Sequence, residues 1–191
     1  MAYPPRRVNN IYLDSAHLSS LTDNLAGLSE RRKLRLRWYG DITGMIRPIL
    51  ELKQKINLLG TKYQTLLPNA LDLTLDWTDI LAGVRASVTP WWRVVLTQAT
   101  QPALINRYWR EYYTTPDGEI RVTIDSRLTA YDQRLTIRPN LHKPLPISDQ
   151  VVVEIKASEN QAERVAHVAN EFPIPRSRNS KYCAGLQSAP G

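Results

Sequence analysis

The sequence predicts an α+β domain built around an antiparallel β-sheet, and three observations support this. Apolar and polar residues alternate in several segments, which is typical of strands with one buried face. The turn Pro116-Asp117-Gly118 separates two such segments, as in a β-hairpin. Other stretches have apolar residues at helical spacing and could pack on the sheet.

Composition and charge limit the class of protein. With 191 residues, 42% of them hydrophobic, the chain can bury one core, and no apolar run has the length of a membrane span. A single cysteine, Cys183, excludes an internal disulfide and favours a reducing compartment, so we expect the cytoplasm. The net charge of +7 predicts an anionic partner: nucleic acid, an anionic membrane surface or a phosphorylated small molecule.

The first half of the chain is predicted to contain several strands. In order, the patterns predict a strand over 11–14, a short helix ending at Gly27, a strand over 31–39 and an extended segment over 45–56. Helical spacing then predicts a helix within 64–86, broken by Pro68, and 89–99 is interpreted as a strand.

The second half of the chain is predicted to begin with the hairpin. Its strands are 104–113 and 119–131, followed by a strand over 151–157 and a helix over 159–171. From Pro173 onward the chain is rich in Pro, Ser and Arg, and no clear structure is predicted there.

The strand over 31–39 carries Lys33, Arg35 and Arg37 on one face. Same-face neighbours lie about 7 Å apart, so each pair costs roughly 2 kcal/mol at an effective dielectric near 20, and well under 1 kcal/mol in open solvent. The pattern alone leaves two interpretations open. One is an antiparallel sheet with a solvated face, and the other is a closed barrel with a polar interior and helices outside.

Five segments in order resemble one known family. They are NNIYLDS (9–15), GLSERRKLRLRWYG (27–40), ELKQK (51–55), VEIKA (153–157) and SKYCAGL (180–186). Together they resemble the VTC domain, the catalytic domain of the vacuolar transporter chaperone polyphosphate polymerase, which also occurs in bacterial proteins. This family belongs to the triphosphate tunnel metalloenzymes, with the CYTH-type triphosphatases. The expected domain is 1–186, with 187–191 as a tail.

The resemblance implies an antiparallel β-barrel tunnel lined by basic residues and flanked by helices. It implies transfer of the terminal phosphoryl group of ATP onto inorganic polyphosphate, with Mn²⁺ or Mg²⁺. The motifs assign catalytic roles to Arg35, Arg37, Arg121 and Lys181. They assign phosphate binding to Lys53, Lys55, Lys62, Arg110, Arg178 and Ser180, and metal binding to Glu154.

One departure from the family pattern leaves alternative functions open. Family members normally have a further strand and helix before the segment that matches YPPRRVN (3–9), so we expect an N-terminally incomplete tunnel with an open edge. The alternatives are a tunnel-type triphosphatase and a non-catalytic polyphosphate-binding module. Sequence-specific nucleic-acid binding is disfavoured, because no RNA-binding motif is recognised. Product length, oligomeric state and tethering to a membrane partner are left open.

Several other residues have structural interpretations. Arg110 competes with Arg107 for the polar face, and Cys183 is expected to be a small buried residue. Asp14 and Asp125 could approach a metal or equally cap strand ends.

Overall fold

The computed structural model describes residues 3–57, 59–172, 177 and 179–189. One antiparallel sheet forms its centre. The strands are β1 (Tyr3–Asp14), β2 (Glu30–Tyr39), β3 (Met45–Ile46), β4 (Ile49–Ile56), β5 (Leu59–Leu66), β6 (Leu71–Asp72), β7 (Gln101–Thr114), β8 (Ile120–Asp132) and β9 (Val152–Ala157). The helices are α1 (Ser19–Leu25), α2 (Trp77–Ala86), α3 (Pro90–Thr97), α4 (Ala162–Asn170) and α5 (Lys181–Gln187).

The main sheet has seven strands in the order β5-β4-β2-β1-β7-β8-β9, and β3 pairs with β6 separately. It curls into a half-barrel flanked by helices, which confirms the predicted α+β, tunnel-like fold. β5 and β9 are the two edges of this sheet. Among the described residues, no helix has the length and apolar character needed to cross a bilayer.

The two faces of the sheet differ as the alternation predicts. In β2, Leu34, Leu36 and Trp38 are buried on the convex face. The cations between them therefore point to the concave face. Each fully buried large apolar side chain contributes roughly 1.5–3 kcal/mol to folding, so this arrangement is strongly preferred over the reverse.

Helices α2 and α3 cover the convex face. Ile80 and Val84 of α2 and Trp92 and Leu96 of α3 are buried in the same cluster as Leu36. The interpretation of 89–99 as a strand was therefore wrong. Proline is well tolerated in the first turn of a helix, where Pro90 lies, and the four-residue spacing of the two buried α3 side chains fits a helical face.

The helix predicted within 64–86 begins only at Trp77. Residues before it form the end of β5 and the short strand β6. Pro68 cannot donate the backbone hydrogen bond that a continuing helix needs. Beyond β6, the Asp72 carboxylate accepts a hydrogen bond from the backbone N–H of Thr74 at 2.9 Å, which stabilises a turn.

The segment after Pro173, for which no structure was predicted, contains α5. Ser180 caps this helix, with its Oγ accepting a hydrogen bond from the backbone N–H of Cys183 at 3.3 Å. The Tyr182 hydroxyl donates to the Asp14 carboxylate, which also accepts from the backbone N–H groups of Ser20 and Leu21 in α1. Asp14 therefore joins β1, α1 and α5, and Cys183 is buried as predicted.

The contact between α5 and the sheet gives a test of the fold. A Cβ atom on Gly185 would lie 2.5 Å from Leu104 Cδ2 and 3.4 Å from Ala130 Cβ. We expect Gly185→Val to lower the free energy of unfolding by about 1–3 kcal/mol, because overpacking displaces buried side chains. Urea unfolding measures this change. Gly60→Val is the control, since a Cβ there meets no atom within 4 Å, and equal losses in both variants would contradict the packing of α5.

Candidate functional site

A cleft of about 350 Å³ runs along the concave face of the sheet. Six strands and the segment around the start of α5 contribute to it. Its lining consists of Tyr12, Lys33, Arg35, Arg37, Lys53, Lys62, Tyr108, Arg110, Val152, Val153, Glu154, Lys156, Ser177, Asn179, Ser180 and Lys181.

Strand register places three lysines side by side in this cleft. Lys33 of β2 lies opposite Lys53 of β4, which lies opposite Lys62 of β5. Like charges directly opposite each other destabilise a sheet. Stability of the sheet therefore does not explain this row of lysines, whereas binding of an anion does.

Glu51 of β4 lies beneath the cations of the cleft and is only 2% exposed. Its Oε2 accepts hydrogen bonds from Arg35 Nε at 2.7 Å and Nη2 at 2.5 Å, and its Oε1 lies 3.0 Å from Lys62 Nζ. Burial alone would raise the pKa of Glu51, but the charges of Arg35 and Arg37 and the hydrogen bonds lower it to about 2. The carboxylate is thus ionised at neutral pH and holds Arg35 in place.

Asp125 has the same role on the other side of the cleft. Arg110 donates to both of its carboxylate oxygens, at 2.5 and 2.7 Å, and Lys181 Nζ lies 2.6 Å from Oδ2. Burial would raise the pKa of Asp125, but Arg110 and Lys181 lower it below its usual range. Because both cations use this buried carboxylate, Asp125 is a positioning residue for them.

Arg37 is oriented mainly by uncharged groups. Its Nε donates to Asn10 Oδ1 at 3.0 Å, and its Nη2 donates to the Tyr108 hydroxyl at 3.3 Å. Its contact with a carboxylate is longer, at 3.8 Å from Nη1 to Glu51 Oε2. Arg37 therefore keeps much of its charge available for a ligand.

Lys53 forms no hydrogen bond or ion pair with any residue that the structure describes. Solvent reaches its side chain, yet this side chain lines the concave cleft, where neighbouring side chains displace part of the water around it. This partial burial, together with the charges of Arg35, Lys156 and Arg37, lowers the pKa of Lys53 to about 8.

The family model of the VTC domain matches residues 5–189, nearly the whole chain. This chain belongs to the VTC domain family. A comparison with the curated proteins found no match. The VTC domain is associated with polyphosphate metabolism, and its basic cleft is consistent with that general role.

Glu154 is the one carboxylate in the described lining of the VTC domain cleft. Its side chain is 41% exposed, and its Oε1 lies 3.2 Å from Lys156 Nζ. No group of three or more His, Cys, Asp or Glu residues within the described parts of the chain could hold a metal ion. One carboxylate fits a Mg²⁺ or Mn²⁺ ion whose other ligands are substrate phosphates and water, and it does not fit an all-protein metal site.

Most residues that the motifs singled out meet in this cleft. Those in the lining are Arg35, Arg37, Lys53, Lys62, Arg110, Glu154, Ser180 and Lys181. Lys55 lies in an adjoining pocket that shares Lys33, Lys53 and Lys62 with the cleft. Arg178 lies outside the described residues.

Arg121 does not belong to the described lining of the cleft. It lies opposite Lys156 near the start of β8 and borders a separate pocket. The alternation in β8 gives its face but not its distance from the other cations. Between the two competing arginines of β7, Arg110 and not Arg107 points into the cleft.

Several residues of the site were not singled out by the sequence. Glu51 had no predicted role, Asp125 was expected only to approach a metal or cap a strand end, and no site role was predicted for Tyr12, Tyr108 or Lys156. The strand pairing could have indicated Glu51 and Asp125. Arg35 lies opposite Glu51, and Arg110 lies opposite Asp125.

The pKa of Glu51 gives a test of its buried ion pair. Because this pKa falls from 4.5 to about 2 on folding, the ionised form stabilises the protein above pH 4.5 and this contribution is lost as the pH falls through 2. Glu51→Gln removes it, so we expect a loss of about 3–5 kcal/mol at pH 7 and a weaker dependence on pH below 4.5.

Urea unfolding at pH 7, 4.5 and 2.5 measures the effect. Glu163→Gln, at an exposed carboxylate of α4, is the matched control and should follow the unaltered protein. Parallel pH curves for Glu51→Gln and the unaltered protein would show that the ion pair does not stabilise the fold.

Proposed function

We propose that this VTC domain is a polyphosphate polymerase that transfers the terminal phosphoryl group of ATP onto inorganic polyphosphate. The observation that carries the proposal is the charge of the cleft. Among the described residues, eight Lys and Arg side chains line it, whereas three carboxylates contact them. The excess positive charge suits a chain of phosphates, and it is far more than a single carboxylate ligand would need.

The cations would bind the phosphate chain in two ways. Arginine forks such as Arg37 and Arg110 can contact two phosphate oxygens at once, while lysines act as mobile point charges. Phosphoryl transfer is catalysed mainly by positioning and by stabilising the charge of the transition state. Glu51 and Asp125 support this role because they hold Arg35, Arg110 and Lys181 before substrate binds.

We also propose that Glu154 binds Mn²⁺ or Mg²⁺ together with phosphate oxygens. The bound ion would neutralise charge on the transferred phosphoryl group. Burial would raise the pKa of Glu154, but Lys156 and Arg110 lower it below its usual range, so the carboxylate is ionised and able to bind a cation.

The buried free thiol of Cys183 supports the proposed cytoplasmic location, where thiols stay reduced.

A second function, hydrolysis of triphosphate or nucleoside triphosphates, is favoured by one observation. Edge strands β5 and β9 are not hydrogen-bonded to each other, so the half-barrel is open along one side. Water can reach phosphates in an open cleft more easily than in a closed tunnel, and water would then compete with polyphosphate as the acceptor.

Polymerase activity is tested by incubating the protein with ATP, Mn²⁺ and a short polyphosphate primer. We expect a ladder of longer polyphosphate on a gel and the release of ADP. Glu154→Gln should lower the rate by about a hundredfold, because a metal ion supplies several kcal/mol of charge stabilisation. Glu163→Gln removes an exposed carboxylate elsewhere and should leave the rate unchanged.

The products separate the candidate functions. Orthophosphate without longer polymer would identify a triphosphatase. Tight binding of polyphosphate with no turnover, unaffected by Glu154→Gln, would identify a binding module. If neither ATP nor polyphosphate binds, the proposed function is refuted.

The pKa of Lys53 predicts how binding depends on pH. At pH 7 most Lys53 side chains are charged, and this charge is lost as the pH rises through about 8. We therefore expect polyphosphate affinity to fall by up to about tenfold between pH 7 and pH 9. Lys53→Arg should keep its charge and most of its affinity at pH 9.

Fluorescence anisotropy with labelled polyphosphate measures both affinities. Lys143→Arg, at an exposed lysine outside the cleft lining, should behave like the unaltered protein. The role of Lys53 would be ruled out if Lys53→Arg and the unaltered protein lost affinity equally.

A further inference from the structure

An aromatic cluster lies at one end of the concave face and consists of Tyr3, Arg6, Tyr39 and Tyr112. The Arg6 guanidinium lies 4.8 Å from the ring centre of Tyr39 and 5.1 Å from that of Tyr112. The ring of Tyr3 stands edge-on to Tyr112, with 6.0 Å between centres. One cation is thus shared by two phenol rings from different strands.

The cluster lies next to the phosphate-binding arginines. Tyr39 is two residues beyond Arg37 in β2, and Tyr112 is two residues beyond Arg110 in β7. Residues at this spacing point to the same face and lie about 7 Å apart. Arg6 also pairs with Arg110 across the β1–β7 ladder. The aromatic cluster therefore continues the row of residues that lines the cleft.

Packing of the core does not account for this cluster. Tyr39 is 43% exposed and Tyr3 is 59% exposed. Neither belongs to the two hydrophobic clusters of the described residues. Arg6 has no ion pair with a carboxylate in the described parts of the chain. Two phenol rings and one guanidinium plane thus face solvent beside a phosphate-binding cleft, and Tyr112 is half-buried next to them.

The two ends of the cleft differ in chemistry. The opposite end has cations and no carboxylate in its described lining: Arg31, Lys33, Lys53, Lys55, Lys62 and Lys156. That end suits a polyanion, whereas a cluster of three phenol rings with a single cation does not. Planar aromatic and guanidinium groups are instead the surfaces on which nucleobases stack.

We propose that the aromatic cluster stacks the base of a nucleoside triphosphate whose phosphates lie in the cleft. The inference rests on the proposed function and adds an orientation to it. The base lies at Tyr39 and Tyr112, the phosphates pass Arg37 and Arg110, and the terminal phosphate points toward Lys53. Polyphosphate would then occupy the lysine-rich end.

Binding of ATP and of tripolyphosphate, measured by calorimetry without divalent metal, tests this orientation. Tripolyphosphate has no base, so it reports on the phosphate site alone. Tyr39→Ala should weaken ATP binding by about five- to one-hundredfold and leave tripolyphosphate binding within about twofold. Tyr63→Ala is the matched control, because Tyr63 is 42% exposed, lies opposite the buried Leu52 and contacts Trp91 away from the cleft.

Two further variants make the outcome decisive. Tyr39→Trp keeps a stacking surface and should retain ATP affinity, and Tyr112→Ala should repeat the selective loss. Unchanged tripolyphosphate binding also shows that a variant is folded. The inference is overturned if Tyr39→Ala weakens both ligands equally or neither of them. If the unaltered protein binds neither ligand, with or without Mn²⁺, the proposed function fails, and this inference fails with it.

Discussion

The buried ion pair between Arg35 and Glu51 allows the concave face to carry so many cations. An unpaired charge at these depths would cost several kcal/mol, and the row of cations would repel one another. One carboxylate pairs with Arg35, contacts Lys62 and lies 3.8 Å from Arg37. Asp125 acts in the same way for the β7 side of the cleft. The cations are thereby held in fixed positions without being neutralised as a group.

This arrangement depends on the core behind the sheet. Leu34, Leu36 and Trp38 pack under α2 and α3, and this packing sets which side chains of β2 reach the concave face. A slip of one residue would bury three cations and expose three large apolar side chains, so the register is strongly specified. The geometry of the site is therefore determined largely by apolar residues that never contact a ligand.

Strict alternation made most of the sheet predictable, since a period of two over six or more residues fits no helix. The stretch 89–99 has no strict alternation, and its apolar residues fit a short helix as well as a strand. α5 was missed for a different reason. It is short, and its place depends on Asp14, which is distant in sequence and bonds to Tyr182.

The same limit applies to the site. Alternation and the family resemblance singled out Arg35, Arg37 and Glu154 as candidates, but the pairing with Glu51 depends on the register between β2 and β4. For Arg121, alternation predicted the face of the strand but not the position of the side chain relative to the cleft. Its face was predicted correctly, but only the register shows that it lies opposite Lys156 and borders a separate pocket. Alternation describes one strand at a time, whereas a binding site is a property of several strands together.

The contrast between the two ends of the cleft suits the proposed polymerase function. The arginines at one end are fixed by buried carboxylates, which suits the positioning of a reacting phosphate. The lysines at the other end are point charges on long side chains, and each contacts phosphate without the rigid two-point geometry of an arginine fork. A growing chain must move on after each transfer, and tight arginine clamps along its whole length would hold it in place. Weak contacts at Lys53 and Lys55 would instead retain the chain through their number while letting each phosphate slide past.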